Sequence, residues 1–217
     1  RVILASRNEH NLRVASEKLN NMVGEKELAR YITIDITKQS ERESLADQVC
    51  LINNGYLDIL INSAGINIRS PLSKTKLPDL TAVLETNLVG PMFITKACFP
   101  MLQKSRGGRV INIASIFASV SYPERTNYAI SKGGILQMTR TLAAEWAEFN
   151  ITVNAISPGP IQSNQPKKFI KKLKFQIPLN RLASKNEYRG AIQFLCSDAS
   201  NYMTGQNLII DGGRSVW

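Results

Sequence analysis

The chain has 217 residues, 43% of them hydrophobic, with a formal net charge of +10, which suffices for one α/β domain with a buried core. The single histidine, His10, excludes a Ser–His hydrolase and a multi-histidine zinc site. Cys50, Cys98 and Cys196 lack metal or redox spacing and read as reduced thiols of a cytoplasmic protein.

No apolar run reaches membrane-spanning length, so no membrane is expected. The basic residues are spread widely without interleaved aromatics, so no nucleic acid is expected either. The chain opens on Arg1, inside an apolar strand-like run, and reads as trimmed.

Arg1–Ser6 predicts a short buried strand, and Asn8 caps an amphipathic helix bearing Leu12, Ala15 and Leu19. Tyr31–Asp35 is the next strand, followed by Thr37 as the expected cap of a helix carrying Leu45, Val49 and Ile52. Leu57–Asn62 is the third strand and runs into Ser63-Ala64-Gly65. One long helix is expected from about Leu80 to Leu102, then a buried strand over Val110–Ala114. A helix carrying Tyr128 runs to about Phe149, and Ile151–Ile156 is a fifth strand ended by Pro158-Gly159-Pro160. Glu187–Ser197 predicts a helix, and Asn207–Ile210 a last strand closed by Asp211-Gly212-Gly213. Alternating strands and helices with short connections predict a doubly wound, mostly parallel Rossmann-like α/β sheet in a single domain, with helices on both faces.

Tyr128 and Lys132, four apart, share one face of their helix. A free phenol titrates near pH 10, and an adjacent ammonium is expected to lower that value and make it an acid/base group. Ser115, thirteen residues upstream at a strand end, is placed to hold a carbonyl while Tyr128 supplies the proton.

In this order the motifs resemble the short-chain dehydrogenase/reductase family over essentially the whole chain. Asn62-Ser63-Ala64-Gly65 resembles the family's Asn-Asn-Ala-Gly, with Ser63 for the second Asn. Asn87 matches the helix asparagine that supports a proton-relay water, and Ser115, Tyr128 and Lys132 match the remaining catalytic positions. Pro158, Gly159 and Ser163 match Pro-Gly-x-x-x-Thr, with Ser for Thr, and Asp211-Gly212-Gly213 matches the common ending. The resemblance implies hydride transfer between a nicotinamide cofactor and a small carbonyl or alcohol substrate. It places Ser6 and Arg7 at the adenosine ribose, Asp35 and Ile36 at the adenine, and Asn62, Ala64 and Gly65 on the adenosine side. Lys132 would also bond the nicotinamide ribose, and Pro158, Gly159, Ile161 and Ser163 would border the nicotinamide. Arg7 argues for NADP(H) through its 2′-phosphate, with NAD(H) possible; a solvated surface arginine is the plain alternative. Asp35 could likewise be a strand-end turn residue, and Asn87 a helix amide satisfying neighbouring backbone.

The family's first strand and glycine-rich turn have no counterpart here, so a lead-in of roughly 30 residues is expected before Arg1. Gln165–Ile177 sits where the family builds its substrate lid, with Phe169, Ile170, Leu173 and Ile177 opposite five lysines. That pattern is either an amphipathic cover helix or a surface for an anionic ligand. The segment Glu145–Ile156 is similar to sugar-acid dehydrogenases such as gluconate 5-dehydrogenase, and the overall pattern to 3-oxoacyl-carrier-protein reductases. A catalytically inactive cofactor-binding or scaffold protein of the same fold is the alternative. A homotetramer is implied by the resemblance. Phe93, Ile94 and Phe99 on one helix, with Leu136, Met138, Leu142 and Trp146 on another, exceed what one buried stripe needs.

Overall fold

Apolar runs of four to seven residues become six parallel strands, since each is joined to the next by a helical connection too long for a hairpin. The structure, a computed structural model, describes residues 1–217 apart from Lys26 and Asn164.

Strand β1 (Val2–Ser6) pairs with β2 (Ala29–Thr33), and helix α1 (Glu9–Val23) crosses between them. The Asn8 side chain accepts from the Asn11 N–H at 2.9 Å, as the cap position predicts. Strand β2 lies two residues earlier than expected. Ser16 and Asn20 of α1 both hydrogen-bond the Ala29 backbone and anchor the strand's start there. Thr37 is not the cap of α2 (Gln39–Ile52). It donates to the Asp35 carboxylate instead, and Lys38 at the cap position makes no side-chain cap bond.

Strands β3 (Ile59–Asn62), β4 (Arg109–Ile113), β5 (Thr152–Pro158) and β6 (Asn207–Ile210) form a separate four-stranded ladder in that order. The expected long helix is helical throughout but not uniform. α3 (Leu77–Leu84) passes through one π turn at Glu85–Val89 into α4 (Gly90–Gln103). Helices α5 (Thr126–Trp146), α6 (Lys167–Lys174) and α7 (Arg189–Leu195) complete the fold. The helix expected over Glu187–Ser197 is thus split, its first residues forming a 3-10 turn over Lys185–Tyr188.

The parallel α/β class is as expected, but the sheet is divided. Among the described residues no ladder joins β1 to β3. A cavity of about 790 Å3 lies between them, lined on one side by Arg1–Arg7 and on the other by Ile59–Ile66. Leu45, Val49, Ile94 and Cys98 also line it. These last four also belong to the largest hydrophobic cluster, which joins Ile32 and Ile34 beside β2 to Val110 of β4 and Val153 of β5. Side-chain packing, not backbone pairing, unites the halves.

The two helices cited for oligomer formation are mostly covered within the chain. Ile94, Leu136 and Trp146 are buried, and Phe99 stacks on Trp146 at a centroid distance of 4.7 Å. Of the large apolar side chains described on these helices, Met92 and Phe93 on α4 and Ile130 on α5 stay substantially exposed, at 41%, 40% and 54%.

Candidate active site

Tyr128 stands in the first turn of α5 with Lys132 one turn further along, and Ser115 follows the end of β4. Ser115 starts a short 3-10 turn, its hydroxyl accepting from the Phe117 N–H at 3.3 Å. Phe117 packs edge-on against the Tyr128 ring, 6.4 Å between centroids. Burial pushes the Tyr128 phenol above its ordinary value, opposed by the Ser115 hydroxyl and then by the Arg125 guanidinium. The net direction is upward, opposite to the lowering that the Tyr–Lys spacing predicts. The Lys132 head explains the difference. It donates to the Ile113 carbonyl at 2.6 Å and lies 5.8 Å from the Tyr128 ring centroid. Burial also brings the Lys132 ammonium down to about 8.

Asn87 is fully buried inside the π turn. Its side chain closes a two-way contact with Ile66, Oδ1 accepting from the N–H at 2.7 Å and Nδ2 donating to the carbonyl at 2.9 Å. Nδ2 also donates to the Ser131 hydroxyl at 3.0 Å. Both Nδ2 protons and one acceptor site of Oδ1 are therefore taken, and one Oδ1 lone pair stays open. A π turn also widens the helix and disturbs its carbonyl pairing, a geometry common at functional sites. Gly65 closes the gap between this group and the cavity: a Cβ there would lie 3.4 Å from Asn87 Oδ1 and 3.5 Å from Lys132 Nζ.

Ser6, Arg7, Asp35, Ile36, Asn62, Ala64 and Gly65 all line the one cavity between β1 and β3. Arg7 is exposed at the end of β1, close enough to Asp35 to lower its carboxyl. The larger cause of that lowering is the Thr37 N–H, which Asp35 accepts at 3.0 Å, so Asp35 does serve as a strand-end turn residue. Asn62 directs its amide nitrogen to Thr95 and Asn112, both at 2.8 Å, within the buried ladder. At the end of β5, Gly159 abuts Asp211, where a Cβ would meet the Asp211 Cα at 2.5 Å. Ile161 bridges to Ala183, and its own N–H has no partner among the described residues. The Ser163 N–H donates to Gln165 Oε1 at 2.7 Å, which shapes the same loop.

Residues 1–215 match the protein-family model described as enoyl-(acyl carrier protein) reductase. The chain belongs to the short-chain dehydrogenase/reductase family. It is 35% identical over 212 residues to a 3-oxoacyl-(acyl-carrier-protein) reductase of Thermotoga maritima, covering 94% of this chain and 85% of that protein. It is also 35% identical to a chloroplastic tropinone reductase homolog of Arabidopsis thaliana, covering 84% of this chain but only 58% of that longer protein. Among solved structures, a gluconate 5-dehydrogenase from Burkholderia cenocepacia in complex with NADP and tartrate superposes with a TM-score of 0.91. That protein is 27% identical, with 99% of this chain and 85% of that one covered. An NAD+-bound xylitol dehydrogenase gives a TM-score of 0.89 at 30% identity, covering 97% of this chain and 88% of that one.

Short-chain dehydrogenase/reductases are NAD(P)-dependent oxidoreductases, and the residues present fit the two ends of such a cofactor. The open approach at Gly65, beside a buried ammonium with two hydrogen-bonding protons to spare, suits a ribose at the nicotinamide end. Arg7 beside the cavity suits the adenosine end. No glycine-rich turn for the phosphates lies among the described residues. Arg125, three residues before Tyr128 and buried beside it, also belongs to this site. Charges just before a helix start are ordinarily solvated, so nothing in the sequence marks its burial. Ser131 and Asn112, which hold the site from behind, carry no such mark in the sequence. Among the described residues no helix is long and apolar enough to cross a membrane.

Proposed function

We propose that this chain is the catalytic part of an NADP(H)-dependent oxidoreductase that interconverts a ketone and a secondary alcohol, with Tyr128 as the acid/base. The observation that carries the reading is the convergence of Ser115, Tyr128, Lys132 and Asn87 at the C-terminal end of β4 beside Gly65. Ligands of open α/β sheets bind at the carboxyl ends of the strands, where this set lies.

The bound cofactor supplies the hydride; the chain must orient the carbonyl and move one proton. Ser115 donates to the carbonyl oxygen and fixes it in front of Tyr128. A phenol raised by burial stays protonated at neutral pH, so Tyr128 holds the proton that the reduced oxygen takes. Lys132 binds the nicotinamide ribose, and the Arg125 guanidinium near Tyr128 eases loss of its proton. Asn87 holds the relay water, with main-chain groups of the π turn and the remaining Oδ1 lone pair open to it. Ile161 offers its N–H, and Pro158, Gly159 and Ser163 border the same end. Arg7 pairs with a 2′-phosphate, Ser6 and Asp35 frame the ribose and adenine with Ile36, and Asn62, Ala64 and Gly65 line the adenosine side. NAD(H) is the second cofactor to test.

The cavity between β1 and β3 takes one more parallel strand, whose following turn would cradle the pyrophosphate. Two unpaired strand edges facing each other over an apolar floor support that assignment. The substrate is of sugar-acid or 3-oxoacyl type. We place the enzyme in the cytoplasm as a homotetramer, supported by the exposed Met92, Phe93 and Trp217. The second reading, a catalytically inactive protein of this fold, draws on the lack of a phosphate turn among the described residues. The complete Asn87, Ser115, Tyr128 and Lys132 set speaks against it.

A ketone and alcohol panel with NADPH, NADP, NADH and NAD tests the reading. Tyr128→Phe should lower turnover by a factor on the order of 10²–10⁴ with cofactor affinity kept, because only the proton donor is removed. Undiminished turnover in the folded variant excludes Tyr128 as the acid. Absence of turnover in the unaltered protein with every cofactor favours the inactive reading.

A further inference from the structure

Arg125 directly precedes α5, one helical turn before Tyr128. It is only 6% exposed, and its Nε and Nη1 are buried without any hydrogen-bond partner. A guanidinium keeps its charge at any working pH and carries five N–H donors. Buried charges are ordinarily paired. Among the described residues, however, no carboxylate comes within ion-pair distance of Arg125.

The surroundings cover its faces and, among the described residues, offer its enclosed Nε and Nη1 no acceptor. The guanidinium carbon lies 6.0 Å from the ring centroids of both Phe117 and Tyr122. Such rings attract the cation face-on but accept nothing from the in-plane N–H groups. The charged and titratable groups around it are Arg69, which repels it, and Glu124, Tyr122 and Tyr128, which attract it. Arg214 also lies against the same two rings, at 5.6 and 5.1 Å from the two centroids. The field is cationic, desolvated and adjacent to the phenol that Arg125 itself influences.

We propose that Arg125 is a substrate-recognition residue, and that the ketone or alcohol handled at Tyr128 carries a carboxylate received by the unpartnered guanidinium. The proposal rests on the reading of Tyr128 as the acid/base and adds a substrate class: keto acids and their hydroxy acids, in preference to neutral ketones of the same skeleton. A carboxylate there would pair a buried cation, satisfy its donors and relieve the repulsion from Arg69. Arg125 then fixes which carbonyl of an acid is presented to Ser115 and Tyr128.

Calorimetric titration of the 217-residue chain with tartrate, threitol and inorganic phosphate tests the binding half without any turnover. Tartrate should bind saturably, threitol, its uncharged counterpart, should not, and phosphate should bind more weakly than tartrate. Arg125→Gln should weaken tartrate at least tenfold, Arg125→Lys less, and Tyr128→Phe hardly at all. Undiminished turnover in Tyr128→Phe with tartrate binding kept would therefore condemn the Tyr128 reading alone. In kinetics, the preference for a keto acid such as 4-oxopentanoate over its methyl ester should collapse in Arg125→Gln through KM rather than kcat. Equal tartrate affinity in the unaltered protein and Arg125→Gln overturns the proposal, and phosphate binding tighter than tartrate overturns the carboxylate assignment. Should Arg125→Gln fail to fold, the unaltered protein still decides: no tartrate binding, or threitol binding as well as tartrate, overturns it.

Discussion

The two ladders of this molecule are built from similar apolar runs yet differ in how deeply they are held. In β4 and β5, Val110, Ile111, Val153, Ala155 and Ile156 are all at most 1% exposed, with helices on both faces. In β1 no residue is buried, Val2 is 43% exposed, and one long edge borders a cavity. The groups proposed to move a proton belong to the first ladder, and those proposed to read the adenosine end belong largely to the second. The proposed proton chemistry thus sits on the fully packed half, whereas the proposed ribose and adenine contacts sit on the half that side-chain packing joins to it. Local strand propensity is alike in both; tertiary burial makes the difference.

Core truncation should expose this contrast most strongly. Ile156→Ala leaves a void at a fully enclosed site and should cost about 3–4 kcal/mol, against under about 1.5 for the half-buried Ile3→Ala. Urea denaturation measures both, and equal losses would break the comparison. Next in size is Asn112→Ala, which deprives Asn62 and Thr139 of partners at 2.8 and 2.9 Å and should cost about 1–3 kcal/mol. A near-neutral result would mean that the polar interior of the first ladder does not secure it.

Arg7→Asp acts on the other half. It should lower the NADPH-to-NADH ratio of kcat/KM about tenfold or more, while leaving thermal stability and NADH-supported kcat almost unchanged. An unmoved ratio detaches β1 from cofactor choice.

The smallest effect is a pH slope. Lys132 has a folded value near 8 against an ordinary 10.5, so above pH 8 the unfolded chain binds more protons and stability rises with pH. Cys98 works the other way, its thiol being raised from 9.0 to about 12, so its contribution is lost as pH climbs past 9. Tyr128, also raised, opposes from 10 upward. The clean window is therefore about pH 8 to 9, where denaturation midpoints should rise in the unaltered protein and stay flat in Lys132→Met.

Much of the fold was legible because strand and helix signals alternate along the chain. The exceptions are set by contacts distant in sequence. Ser16 and Asn20 shift β2 by gripping Ala29, and Thr37 abandons the helix cap for the Asp35 carboxylate. The π turn at Asn87 leaves no periodicity mark, since it adds a single residue to a continuous apolar helix. The site was legible as spacing: the structure does bring Ser115, Tyr128, Lys132 and Asn87 together. Its electrostatics were not. The direction of the Tyr128 shift depends on burial and on a lysine head turned towards the Ile113 carbonyl, and neither follows from four-residue spacing. Arg125 went unremarked because a charge near a helix start is ordinarily solvated, and only burial by Phe117 and Tyr122 makes it unusual.

The amides inside the first ladder also act as an alignment key. Asn62 and Asn112 occupy matched positions on β3 and β4, and Asn112 reaches on to Thr139 of α5. A slip of β4 by one residue would send Asn112 to the opposite face and bring an isoleucine to its place. Asn62 and Thr139 would then each face hydrocarbon. An all-apolar run of β-branched residues slides with little penalty, because each offset offers similar packing. One interior asparagine makes the offsets unequal, so the native register is the one that leaves these amides paired.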